Sequence, residues 1–306
     1  MYGSFAPREL KREQYGREGT TLSDKQVAQP DHTAVRVALW RAMHLQVDSP
    51  PYVFEDNIGL ELIAPKEDWR QRPDMDPVGT SGFRASIVAR ARFVEDIVLE
   101  RLAQGITQYV ILGAGLDTFA QRRPELSSKL KIFEVDAPST QAWKKQRLME
   151  LGFGVPDSLH FAPVDFEKGA SWWEQLTSVG FDTNKPAVLA ATGVTQYLTH
   201  DAIVSMLRRT AQLAPGSTLA MTFLLPLEQT DSEIRSEVEE AKQGARASGT
   251  PFISFFTPSE MTALARELRF RDVCHVSAAD LNERYFSDRT DNLRLPSGEE
   301  FLLAMT

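Results

Sequence analysis

Short apolar runs alternate with segments of helical spacing along most of this 306-residue chain. The runs Tyr109–Leu112, Lys131–Val135, His160–Val164, Ala187–Ala191, Thr218–Leu224, Arg271–Val276 and Glu300–Met305 have the length and content of buried strands. Between them, Ser139–Leu151 stops at Gly152 and Asp201–Leu213 stops at Pro215-Gly216. Pro258–Leu268 opens with Thr257 and Glu260 in capping-box spacing. Strand–helix alternation of this kind predicts a doubly wound α/β fold, with a mostly parallel sheet covered on both faces. Ligands of such sheets bind beyond the carboxyl ends of the strands, at the switch point of the strand order.

Upstream of this region, Thr33–Leu45 has a mixed helical pattern and is stopped by Pro50-Pro51. Residues 56–82 are rich in proline, glycine and charge and read as a long connection. A helix over Phe83–Ala103 follows, with Phe83, Ile87, Val94 and Ile97 on one stripe. Arg90 lies on that stripe, three residues after Ile87 and four before Val94. Arg92 instead faces Glu95 and Asp96, an ordinary exposed pairing. Residues 1–31 alternate in charge without an apolar stretch and read as a polar arm ahead of one domain over residues 32–306. Within that domain, residues 226–256 break the strand–helix economy and are expected to cap a pocket, helical over Ser232–Ala247. Phe252, Phe255 or Phe256 face the pocket or serve as core aromatics.

Composition narrows the function classes. Hydrophobic residues are 42% of the chain, ordinary for a globular protein, and the net charge of −8 disfavours nucleic-acid binding. A single cysteine, Cys274, removes disulfide frameworks and cysteine-rich zinc sites and fits a reducing, cytoplasmic setting. Five scattered histidines argue against a metal site, and no run is long enough for a membrane span. The sequence leaves oligomeric state open.

Candidate chemistry lies at successive strand ends. The run Tyr109-Val-Ile-Leu-Gly113-Ala114-Gly115-Leu-Asp117 carries an apolar strand into Gly-x-Gly. Two glycines there serve a tight turn alone, or let a ligand approach the backbone at a helix N-terminus. The third glycine of the dinucleotide fingerprint is replaced by Thr118, which lowers the case for a pyrophosphate cofactor. Asp136 ends the next strand about 20 residues on, where a carboxylate accepts both hydroxyls of an adenosine ribose or caps the helix begun at Pro138. Asp165 and Phe166 end the third strand and either grip an adenine or form a loop acid beside a core aromatic.

The ordered set ValIleLeuGlyAlaGlyLeuAspThr, PheGluValAspAlaPro, ProValAspPhe and GlyValThrGlnTyrLeuThr resembles the leucine carboxyl methyltransferase family, in its bacterial class I S-adenosylmethionine-dependent members. The resemblance runs over residues 32–306 and implies a seven-stranded Rossmann-like sheet, S-adenosyl-L-methionine as cofactor and O-methyl transfer to a carboxylate or hydroxyl of a small molecule. It implies that Gly113, Ala114, Gly115 and Asp117 lie at the methionine part of the cofactor, Asp136 at the ribose, and Asp165 and Phe166 at the adenine. It matches Arg90 to the arginine that pairs with the cofactor carboxylate, with Arg36 as a supplementary cation. Read by its position alone, Arg90 is a snorkelling side chain. Many members carry an acid where this chain reads Leu189-Ala-Ala-Thr192-Gly193, so Thr192 offers a hydrogen bond without charge.

A carboxylate acceptor is ionised at neutral pH and needs no base, whereas a phenol or alcohol gains from one. Tyr197 and His200 are the base candidates beside the fourth strand. Tyr197 otherwise reads as a pocket wall, and His200, behind the helix cap Thr199, as a first-turn surface histidine. Two other functions remain open on the sequence: an NAD-linked oxidoreductase, and a non-catalytic protein that binds a cofactor or partner.

Overall fold

A computed structural model describes residues 30–164, 171–247 and 249–306. Among them, seven strands form one sheet in the order β3-β2-β1-β4-β5-β7-β6. They are β1 (Gln108–Leu112), β2 (Lys131–Asp136), β3 (Leu159–Pro163), β4 (Val188–Ala191), β5 (Thr218–Leu224), β6 (Asp272–Val276) and β7 (Glu299–Met305). Each predicted strand is found within a residue or so of its expected bounds. All pairings are parallel except those of β7, which runs antiparallel between β5 and β6. The order reverses between β1 and β4, which opens the crevice there.

The helices are α1 (His32–Val47), α2 (Ile58–Ile63), α3 (Ser81–Ala103), α4 (Phe119–Arg122), α5 (Pro138–Glu150), α6 (Trp172–Ser178), α7 (His200–Thr210), α8 (Arg235–Ala247), α9 (Pro258–Glu267) and α10 (Ala278–Phe286). The predicted capping box of α9 is formed, with Thr257 and Glu260 each bonding the other's backbone N–H. Residues 56–82 are not a plain connection. They contain α2 and 3-10 turns at Glu67–Gln71 and Pro73–Met75, and Leu62, Trp69 and Met75 from them are buried. Their prolines begin or flank short turns, so a composition that reads as loop packs as a layer over α1.

Alternation along β1 places Tyr109 and Ile111 in one core and Val110 and Leu112 in the other. The first core takes Val94 and Ile97 of α3 with Leu281 of α10. The second takes Ile203 and Met206 of α7 with Met261 of α9. Burial on both faces explains the continuous apolar runs of the sequence. Helix α1 lies on α3, with Trp40 stacked on Phe83 at 5.6 Å, and this contact brings the N-terminal helix over the crevice. After α8 the chain returns across the strand ends: the Ile253 N–H bonds the Gln196 carbonyl, and the Phe256 N–H bonds the Leu224 carbonyl.

Candidate functional site

Gly113 and Gly115 both have left-handed backbone, with φ of +68° and +51°. A side chain at Gly113 would run into Val194, and one at Gly115 would press on Ala34 of α1 at 3.1 Å. The glycines therefore let two other segments close over the loop. Asp136, at the end of β2, turns onto this loop. One carboxylate oxygen accepts from the Gly115 N–H at 2.6 Å and the other from the Ala137 N–H at 2.7 Å. Burial, the larger effect, raises its pKa above the ordinary value, and the two amides oppose that. Asp136 therefore ties the end of β2 to the glycine loop, and it does not cap α5, whose N-cap is Ala137 without a side-chain hydrogen bond.

Beside the loop is a cavity of about 90 Å³ whose lining includes Gly113, Ala114, Asp117, Thr192, Arg90 and Tyr109. Asp117, one of the lining residues, accepts from the Phe119 N–H at 2.8 Å at the start of α4. Arg90 lies inward, as its place on the α3 stripe predicts, with its guanidinium laid on Gly193. Arg92 is 46% exposed and pairs with Asp96 at 2.8 Å, also as predicted. Gly193 has φ +69°, and a Cβ there would sit 2.8 Å from Arg90 Nη2. Gly193→Ala is therefore expected to cost about 1–3 kcal/mol of stability through the backbone alone. It is also expected to displace the guanidinium; denaturant melts and ligand titration of the variant check both effects.

Tyr197 stands beside Thr33, Arg36 and Arg90. Burial raises its pKa above the ordinary phenol, more than the Thr33 hydrogen bond and the two guanidiniums lower it. It remains a protonated donor at neutral pH. Its ring meets Phe252 edge-on at 5.6 Å. His200 does not join the cavity: its side chain is 65% exposed on the first turn of α7 and stacks on Phe256 at 5.7 Å. Asp165 and Phe166 lie outside the described residues. Arg36 carries a buried Nε without a hydrogen-bond partner among the described residues.

Three features of this region escaped the sequence reading. Arg41 of α1 is buried between Asp56 at 2.7 Å and the Leu116 carbonyl at 2.6 Å, which fastens the N-terminal helix to the glycine loop. Glu134 and Lys144 form a fully buried ion pair at 2.6 Å, two residues before Asp136. Burial outweighs the Lys144 charge and pushes the Glu134 pKa up to about 7. The signal for Lys144 was present in the spacing: it shares a stripe of α5 with the buried Gln141 and Leu148. Glu299 takes hold of Arg90 from β7, a contact over 209 residues that no local pattern announces.

Among the described residues, no group of three His, Cys, Asp or Glu is placed to hold a metal ion, and no helix is long and apolar enough to cross a membrane.

Comparison with known proteins bears on the fold and on the family. Two crystal structures share the fold at a TM-score of 0.56. One is a DUF574 family protein from Streptomyces avermitilis, 15% identical over 91% of this chain and 98% of that one. The other is a candidate methyltransferase from Thermobifida fusca, 18% identical over 92% and 96%. In sequence, the chain is 34% identical over 285 residues to Bacillus subtilis YktD, described as a candidate S-adenosyl-L-methionine-dependent methyltransferase, which covers 85% of this chain and 93% of that protein. A Mycolicibacterium gilvum protein of the same description is 31% identical over 71% of this chain and 75% of its own length. Residues 34–211, which hold most of α1, the glycine loop, Asp136 and Tyr197, match the model of the leucine carboxyl methyltransferases, and on these grounds the chain belongs to the leucine carboxyl methyltransferase family.

Proposed function

We propose that this protein is an S-adenosyl-L-methionine-dependent O-methyltransferase acting on a small-molecule acceptor, with a carboxylate favoured over a hydroxyl. The observation that carries the cofactor is Asp136 turned onto the Gly115 amide at the crevice. An ionised acid there can exchange its amide bonds for ribose hydroxyls. Gly113, Ala114, Gly115 and Asp117 would take the chain from ribose to amino acid, and the guanidinium of Arg90, supplemented by Arg36, would take the carboxylate tip. Thr192 offers a hydroxyl at the cavity rim in place of an acid. Asp165 and Phe166 are proposed for the adenine from their sequence position.

When bound, the cofactor supplies a methyl group already activated on a sulfonium, so the protein's part is mainly alignment. Helix α1, pinned by Arg41, and the segment 226–256 would cover the crevice and exclude water. The acceptor preference follows from the base candidates. Tyr197 is held protonated and His200 is outside the cavity, so an acceptor that arrives ionised suits the site better than one that must lose a proton. Arg36 and Arg90 beside the Tyr197 hydroxyl also favour an anion. Loss of a general base costs roughly 10²–10⁴-fold in rate. Tyr197→Phe is accordingly expected to leave kcat within about fivefold, measured against pH.

The deciding experiment is incubation with methyl-labelled cofactor and a panel of carboxylic acids and phenols. Label in a methyl ester is the expected result. Label only in phenol ethers would overturn the acceptor preference. Calorimetric binding of NAD without S-adenosylhomocysteine would replace the whole reading with the oxidoreductase, and tight cofactor binding without transfer across a broad panel would favour the non-catalytic one.

A further inference from the structure

We propose that Glu299 is a positioning residue for Arg90, holding one nitrogen of its guanidinium so that the opposite edge stays free for a ligand carboxylate. The inference rests on the reading of Arg90 as the receptor of the cofactor's amino-acid tail. Both Glu299 oxygens accept from the same nitrogen, Arg90 Nη1, at 2.8 and 3.0 Å. This is not the fork-to-fork pairing that would engage two guanidinium nitrogens. Nε and Nη2 have no hydrogen-bond partner among the described residues, and neither is a buried orphan, so both remain open to solvent. An edge formed by Nε and Nη2 presents two parallel donors at the spacing of a carboxylate.

The other guanidiniums of the cavity are bound differently. Arg41 gives Nε to Asp56 and Nη2 to the Leu116 carbonyl. Arg122 gives Nε to Thr118 and Nη2 to Glu95. In both, the edge that Arg90 leaves free is already used. The face of the Arg90 guanidinium lies on Gly193, so one side of the group is backed by the chain while Glu299 holds Nη1. Glu299 and Arg90 are 13–15% exposed, enough to meet a ligand and enough burial to make the pair count. Glu299 begins β7, the antiparallel strand, whose reversed direction brings its first residue to the same sheet edge as the ends of β4 and β5. It lies outside residues 34–211, so it belongs to a part of the chain that the family match does not cover.

The test is calorimetric titration with two ligands that differ only in the tail: S-adenosylhomocysteine, which has the carboxylate, and methylthioadenosine, which lacks it. Glu299→Ala is expected to weaken S-adenosylhomocysteine about tenfold or more while leaving methylthioadenosine within about twofold. Glu299→Asp, which keeps the charge but retracts it, falls the same way to a smaller extent and serves if the alanine variant does not fold. Glu299→Gln, whose amide oxygen can still accept from Nη1, retains most of the affinity. Arg90→Ala loses as much as Glu299→Ala, and the double variant is no worse than Arg90→Ala alone, because the two residues act as one unit. Unchanged or tighter binding of S-adenosylhomocysteine by Glu299→Ala would overturn the proposal. So would equal loss of both ligands, which marks a structural role, or additive losses in the double variant. A wild-type protein that binds neither ligand would instead sink the cofactor reading beneath it.

Discussion

Replacing Asp136 with Ala is expected to lower the affinity for S-adenosylhomocysteine by about 100-fold or more, with methylthioadenosine falling by the same factor. The carboxylate would give two charge-assisted hydrogen bonds to the ribose, each worth about 1.5–3 kcal/mol, and both ligands carry that ribose. The parallel loss is what separates Asp136 from Glu299, whose removal is expected to touch only the ligand with a tail. Asp136→Asn keeps an acceptor for the Gly115 amide and loses the charge, so it tests whether the loop or the ligand is affected. Acid should act in the same direction. Burial raises the Asp136 pKa, so its ionised form is lost at a higher pH than for an ordinary aspartate, and affinity falls early on acidification. Titrations of both variants at several pH values give the answer; wild-type affinity in the alanine variant would remove Asp136 from the ribose.

The second large effect concerns stability. Lys144→Met leaves Glu134 buried without its ammonium, and breaking a buried pair in this way costs roughly 3–5 kcal/mol. The cost should depend on pH with a definite sign. The folded Glu134 pKa of about 7 lies above its unfolded value of about 4.5. The folded state therefore holds the proton more tightly. The stability this group contributes is complete below about pH 4.5 and is lost as pH rises toward about 7. Without Lys144 the proton is held more tightly still, so the decline continues to higher pH. Denaturant melts near about pH 5 and about pH 8 are expected to show a larger deficit for the variant at the higher value. An equal deficit at both would mean that Glu134 is not charged in the wild-type fold.

The sheet was legible because its strands are buried on both faces. Such strands are written as continuous apolar runs, and Tyr109–Leu112 and Thr218–Leu224 are hydrophobic on whichever side they face. The inward set of Arg90 was legible for a related reason, since a helix buries one stripe and the period of 3.6 names its members. The layer contributed by residues 56–82 was not legible. Their prolines and charges carry the composition of loop, and burial of Leu62 and packing of Trp69 and Met75 against Leu39 and Met43 of α1 order them. The base candidates divided similarly: Tyr197 and His200 are three residues apart, but one stands beside Arg36 and Arg90 and the other faces solvent, with a 3-10 turn ending and α7 beginning between them.

By itself the sequence determined the α/β class, the seven strands, the glycine loop with Asp136 one strand on, and the family, since all of these depend on residues close together in the chain or on their order. Tertiary structure alone decided the place of β7, and with it the meeting of Glu299 and Arg90. It also decided the buried pairing of Glu134 with Lys144 and the clamp of Arg41 on the glycine loop. Those contacts are charge pairs, and a charge takes whichever opposite charge the completed fold brings within reach. Local patterns fix which residues are buried together as a face; they do not fix which distant polar groups must neutralise one another once water has been excluded.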